Sequence, residues 1–158
     1  MKTILKTIFT LFLLASAPSL FANSELAKKY SDAELIEIIK GEGYSAVKKA
    51  KEGTIHIKID GRSYFLLNKK DGDLQTYYSI GGANISYKDI NEWNKTKRLS
   101  RAYLDKDSDL TLESDLLANA GLSEKMVTEF FSVFKGSVKV FRRFIVEQSN
   151  INNASDSK

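Results

Sequence analysis

This 158-residue chain carries 24 basic and 20 acidic side chains, a small excess that argues against nucleic acid as its main partner. Its length suits one domain with a single hydrophobic core. It contains no cysteine, which excludes disulfides, thiolate metal sites, cysteine nucleophiles and a lipid-modified N-terminal cysteine.

The first 22 residues predict a secretory signal peptide. Lys2 and Lys6 stand before an apolar run, residues 7–15, which is shorter than the roughly 20 residues needed to span a bilayer. A small-residue cleavage site that ends at Ala22 follows, in the order typical of an export signal. We expect cleavage after Ala22 and a periplasmic or secreted protein without a stable membrane anchor. An uncleaved N-terminal anchor is the alternative.

Residues 23–148 predict one domain that begins with a helix and an antiparallel meander. Ser31 and Glu34 have the spacing of a capping box at a helix start. Residues 54–59 alternate between isoleucine and polar residues, as expected of a half-buried strand. A lysine-rich segment, residues 44–50, predicts a protected edge strand. Two more strands are predicted at residues 62–67 and 74–80.

A second helix, a hairpin and a long helix complete the predicted domain. Ser86 is expected to cap a helix that ends near Lys97, and strands follow at residues 99–104 and 110–117. Ser123 opens a long amphipathic helix to about Gln148, and the polar tail, residues 149–158, is expected to be disordered. The order predicts an α+β fold with an antiparallel sheet of about five to six strands and N-terminal, central and long C-terminal helices.

One block of the second half resembles the YbjN family of bacterial sensory-transduction regulators. It contains Asn91-Glu-Trp-Asn94, then Arg98-x-Ser100-Arg101-Ala-Tyr103, an acidic turn, and Glu113-x-Asp115-Leu116. The resemblance implies a fold like that of type III secretion chaperones, with both groups of strands in one sheet, and a role in protein binding or regulation. Ser108 departs from the family pattern, which often has glycine in this turn. Because an export signal is predicted here, the cytoplasmic signalling role of other members is not carried over.

Metal and cofactor sites find little support in the sequence. His56, the only histidine, lies on the polar face of a predicted strand and is expected to be a plain surface residue. There is no phosphate-binding or dinucleotide-binding glycine motif, so we expect no cofactor. The acidic turn, residues 105–109, lacks the glycine and glutamate of a calcium loop, because Leu110 and Leu116 occupy those positions. A tight turn without a metal is expected.

Two carboxylates leave an enzymatic alternative open. Glu113 and Asp115 are two residues apart and would share one face of a strand, where they could act as an acid–base pair in a small hydrolase. Pairing with Arg98 or Arg101 across the hairpin is the preferred interpretation.

Binding residues are predicted around the same hairpin. Trp93, Arg98, Arg101 and Tyr103 could border a groove for a partner, because tryptophan, tyrosine and arginine dominate interface hot spots. Asp115 is included as a candidate contact. For Trp93 we favour packing between helix and sheet, while the two arginines are equally consistent with structure and binding.

The preferred function is a noncatalytic, exported protein-binding module that holds a partner without ATP or a cofactor. The last helix has an apolar face wider than one seam, which suits either a broad lid over the sheet or a homodimer through this helix. The alternatives are an envelope signalling or stress accessory that acts on a membrane sensor, the small hydrolase, and a small-ligand binder. The sequence does not identify the partner.

Overall fold

The computed structural model describes residues 26–156, so the predicted signal peptide lies outside the described residues. The α+β prediction is confirmed: three helices accompany one antiparallel sheet of six strands, in the order β1-β2-β3-β4-β6-β5. The expected joining of both strand groups is also confirmed, because β4 pairs with β6. The elements are α1 (Asp32–Gly41), β1 (Val47–Lys51), β2 (Thr54–Ile59), β3 (Arg62–Asn68), β4 (Leu74–Ile80), α2 (Tyr87–Thr96), β5 (Arg101–Leu104), β6 (Leu110–Leu116) and α3 (Glu124–Asp156).

The first two helices begin where the sequence predicts. At α1, Ser31 accepts a hydrogen bond from the Glu34 amide, and the Glu34 carboxylate accepts one from the Ser31 amide. At α2, Ser86 and Asp89 form the same reciprocal pair. Each pair satisfies amides that a helix start otherwise leaves unbonded.

The core lies between one face of the sheet and the helices. Ile55 and Ile57 on β2 are fully buried, which confirms the alternation read from the sequence. Helix α3 covers the sheet with residues spaced three and four apart, the spacing of a single helix face. These buried residues are Val127, Phe131, Phe134, Val138, Phe141 and Ile145.

The two edges of the sheet differ. β1 forms one edge and exposes Lys48, Lys49 and Lys51, which confirms the predicted protected edge. β5 forms the other edge, and its pairing with β6 ends at Arg101 opposite Glu113. The last three residues of β6, 114–116, therefore have a strand neighbour only in β4.

The predicted end of the last helix near Gln148 is wrong, because α3 continues to Asp156. Two tertiary hydrogen bonds stabilise the extension: the Asn152 side-chain amide donates to the Asn84 carbonyl at 2.9 Å and to the Asp89 carboxylate at 3.2 Å. A contact with the start of α2 is tertiary and leaves no mark on the local sequence. Within residues 26–156, none of the helices combines the length and apolar character that a membrane span requires.

Candidate functional site

A charged cluster lies on β5 and β6 at the edge of the sheet. The Arg101 guanidinium donates to one oxygen of Glu113, and the Tyr103 hydroxyl donates to the other at 3.0 Å. The third guanidinium nitrogen, Nη1, lies 3.5 Å from Asp115, which also accepts a hydrogen bond from Gln75 at 2.8 Å. The predicted cross-strand pairing of these carboxylates is confirmed, with Arg101 rather than Arg98 as the partner.

The hydrogen bonds of this cluster keep its two donors protonated. The hydrogen bond to Glu113 raises the pKa of the Arg101 guanidinium above its usual value. Burial, together with the hydrogen bond to Glu113, raises the pKa of Tyr103 to about 12. Both donors therefore keep their protons at neutral pH. Glu113 is only 5% exposed and both its oxygens accept hydrogen bonds.

Trp93 is a core residue of the α2–α3 contact. It is 1% exposed, and its ring packs against Phe141 at 4.7 Å and Phe144 at 5.5 Å between centroids. Nearby, the Asn94 side chain donates to the Ala102 carbonyl at 2.9 Å and accepts from the Ala102 amide at 2.8 Å. The pair of bonds joins α2 to β5. This placement supports the packing role for Trp93.

The five predicted binding residues do not form one site. Trp93 and Arg98 line a small groove between the end of α2 and α3, with a volume of about 290 Å³. Arg101 and Asp115 lie at the sheet edge, on the rim of a larger groove. Tyr103 shares the sheet face of Glu113, opposite the face that carries the buried leucines of β6.

The larger groove is the best candidate binding site. We call it the edge groove: it runs between α3 and the end of β6 that does not pair with β5, with a volume of about 530 Å³. Three exposed hydrophobic side chains stand around it, Leu99 at 67%, Met126 at 41% and Val133 at 41% exposure. Exposed apolar side chains gathered around one depression are typical of a binding surface. The other apolar lining residues are Leu116, Phe130 and Phe134.

Leu99 shapes the open end of the edge groove. Its backbone has a φ of +62°, a left-handed conformation that is costly for a residue other than glycine. The Ser114 hydroxyl bonds to the Leu99 carbonyl and holds this turn. Pairing with β6 therefore begins only at Arg101, although the sequence predicts a strand that includes Leu99. Nothing in the local sequence marks this position.

The remaining candidates have structural explanations. In the acidic turn, the Asp105 carboxylate accepts hydrogen bonds from the amides of Asp107 and Asp109 at 3.0 and 2.9 Å, as expected of a tight turn. His56 lies 2.8 Å from the Ser63 hydroxyl across the hairpin and stacks on Phe65. In the part of the chain that the structure describes, no group of three or more His, Cys, Asp or Glu residues could hold a metal ion.

Comparison with known proteins places the fold and the family. The chain is similar to the Yersinia pestis type III secretion chaperone SycH, solved in complex with a stable fragment of YscM2, at 20% identity. The TM-score is 0.52, and the match covers 70% of this chain and 98% of the chaperone. At this identity the likeness shows the fold alone. No curated protein sequence matches the chain.

The family model named YbjN, described as "Putative bacterial sensory transduction regulator", matches residues 31–147. The match includes all six strands, the first two helices and most of α3. It extends well beyond the block, residues 91–116, on which the resemblance was based. The chain belongs to the YbjN family.

Proposed function

We propose that this protein is a noncatalytic protein-binding module that holds an extended segment of a partner in the edge groove. The observation that carries the proposal is the end of β6, residues 114–116, which pairs with β4 but not with β5 and lies in an apolar groove. An extended segment placed there would gain main-chain hydrogen bonds from the strand and apolar contacts from the helix. Neither step requires ATP or a cofactor.

The groove contains the parts of a binding site for an extended chain. Leu99, Met126 and Val133 supply apolar surface, and full burial of one such side chain stabilises by roughly 1.5–3 kcal/mol. Because these side chains are already partly covered and association has its own entropic cost, the net affinity is expected to be moderate. Arg101 and Asp115 form a polar rim on one side.

The comparisons support a protein partner. The family description names sensory-transduction regulators, and the structurally similar chaperone SycH is complexed with a protein fragment. The family description also favours the second candidate, an envelope signalling accessory that acts on a membrane sensor. Both candidates would use the same groove and differ only in the partner.

Export belongs to this proposal. Lys2 and Lys6, the apolar run at residues 7–15 and the site at Ala22 support cleavage and release into the periplasm or beyond. Mass spectrometry of the protein recovered from cells should find Asn23 as the N-terminal residue. An intact Met1 on folded protein retained in the cytoplasm would contradict export.

Site-specific photo-crosslinking in living cells tests the binding site. A photoreactive phenylalanine analogue is introduced at Leu99 or at Val133, with Tyr87 as the matched control because it is 77% exposed and lines no part of the groove. The groove positions should capture the same partner, and the control position should not. Leu99→Asp, combined with the probe at Val133, should abolish capture. Equal capture from Tyr87, or none from either groove position, would overturn the proposal.

The homodimer through the last helix stays a prediction. It would use Met126 and Val133, which are exposed on α3 and also line the edge groove. Val146 and Ile151, also exposed on α3, lie outside the edge groove and could extend such an interface.

A further inference from the structure

A second, basic groove lies on the opposite flank of α3. It is lined by Arg62, Lys135, Lys139, Arg142 and Arg143, with a volume of about 670 Å³. Of the described residues in its lining, Asp60 is the only acidic one. Among the described residues, none of these five cations lies within ion-pair distance of a carboxylate.

Two cations of the basic groove instead donate to neutral hydroxyls. Lys135 donates to Tyr44 at 2.7 Å, and Arg142 donates to Tyr78 at 2.6 Å. Their charge is therefore not neutralised by the protein itself. Uncompensated positive charge along a concave surface attracts an anionic ligand.

Gly136 lies on α3 between the basic groove and the small groove of Trp93 and Arg98. It stands two residues from both Phe134 and Val138, which face the core, so its position on the helix faces solvent. Open space lies where a side chain would stand, although alanine would suit a helix interior better than glycine. Gly136 borders the basic groove and also the small groove between α2 and α3.

The small groove connects in turn with the edge groove, because Ser100 and Val133 line both. Its walls contain two buried polar groups without a hydrogen-bond partner in the described part of the chain, the Trp93 indole N–H and the Ser100 hydroxyl. Buried polar groups are normally bonded, so these two are unusual.

We infer that the partner segment has two parts: an apolar stretch that binds in the edge groove and an adjoining acidic stretch that binds in the basic groove. The segment passes over α3 at Gly136. The inference rests on the proposed function and adds the chemistry of the partner. From Met126 to Arg143 the helix rises about 25 Å, at about 1.5 Å per residue. An extended chain of about eight residues covers that distance.

Selection from a displayed library of random peptides against the purified protein tests the inference. Enriched peptides should combine alternating apolar residues with a neighbouring run of Asp and Glu. The double variant Lys139→Glu/Arg143→Glu should bind them at least about tenfold more weakly, and added salt should reduce wild-type binding. Lys58→Glu is the matched control, because Lys58 is exposed on the polar face of β2 and lines neither groove. It should leave binding unchanged.

The outcomes separate this inference from the proposed function. Selected peptides that do not bind the Leu99→Asp variant but carry no excess of Asp and Glu would overturn the two-part segment. The edge groove would remain the proposed binding site. No enriched peptide at all would overturn both. Gly136→Leu should reduce the affinity for bipartite peptides to that of their apolar half alone. Vesicles of anionic phospholipid that bind wild type, but not the double variant, in place of acidic peptides would assign the basic groove to a membrane surface and overturn the inference.

Discussion

Replacement of Arg101 by Met should destabilise the fold more than replacement of its partner Glu113 by Gln. Arg101→Met leaves a carboxylate that is 5% exposed, with the neutral Tyr103 hydroxyl as its remaining hydrogen-bond donor. Breaking a fully buried ion pair costs about 3–5 kcal/mol. The Arg101 side chain is 59% exposed, so water can enter from its side, and we expect a loss of about 2 kcal/mol.

Glu113→Gln has a smaller expected cost, about 1 kcal/mol, because the exposed guanidinium remains hydrated and lies close to Asp115. Urea unfolding followed by the fluorescence of Trp93, the single tryptophan, measures both losses. Equal losses in the two variants would refute this reasoning.

Three further variants test separate parts of the account. Gly136→Ala should raise the free energy of unfolding by about 1 kcal/mol, since open space surrounds this helix position; a loss of stability in urea would show a contact that the fold does not contain. Tyr103, with a pKa raised from 10.0 to about 12, contributes stability that is present below pH 10 and is lost as the pH rises through 12; Tyr103→Phe should flatten this alkaline loss and remove one late-titrating group from the tyrosinate absorbance. The pKa of Asp32 is lowered, because hydrogen bonds from Asn68, Lys49 and the Gly53 amide together exceed the opposing effect of burial. The stability that Asp32 contributes is present above pH 3.8 and is lost as the pH falls through the lower folded-state pKa. Asp32→Asn should therefore lower the free energy of unfolding by about 1–3 kcal/mol at pH 7 and by little in strong acid. Unfolding followed by fluorescence measures both.

The elements that the sequence predicted well are those set by local interactions. Ser31 and Ser86 begin helices because each satisfies amides within one turn of itself. The strict alternation at residues 54–59 can bury its isoleucines only as a strand. The end of α3 was missed for the opposite reason, because Asn152 stabilises it through a contact with Asn84, far away in the chain.

In the candidate site, too, local contacts could be predicted from the sequence and long-range contacts could not. Arg101 and Glu113 could be paired in advance because they are direct neighbours across a short hairpin. Leu99 could not be recognised, since its left-handed backbone depends on the bond from Ser114. The sequence predicts a wide apolar face on the last helix, but it does not show that Val133 stays exposed on that face. The edge groove exists because β5 stops short of the end of β6, a property of the assembled sheet.

Amide hydrogen exchange of the protein bound to its crosslinked or selected partner segment tests the central claim most directly. The account predicts slower exchange in residues 114–116 of β6 on binding, with no change in residues 48–51 of β1, the lysine-rich edge at the other side of the sheet. Protection at β1, or unchanged exchange at the end of β6 in a saturated complex, would contradict it.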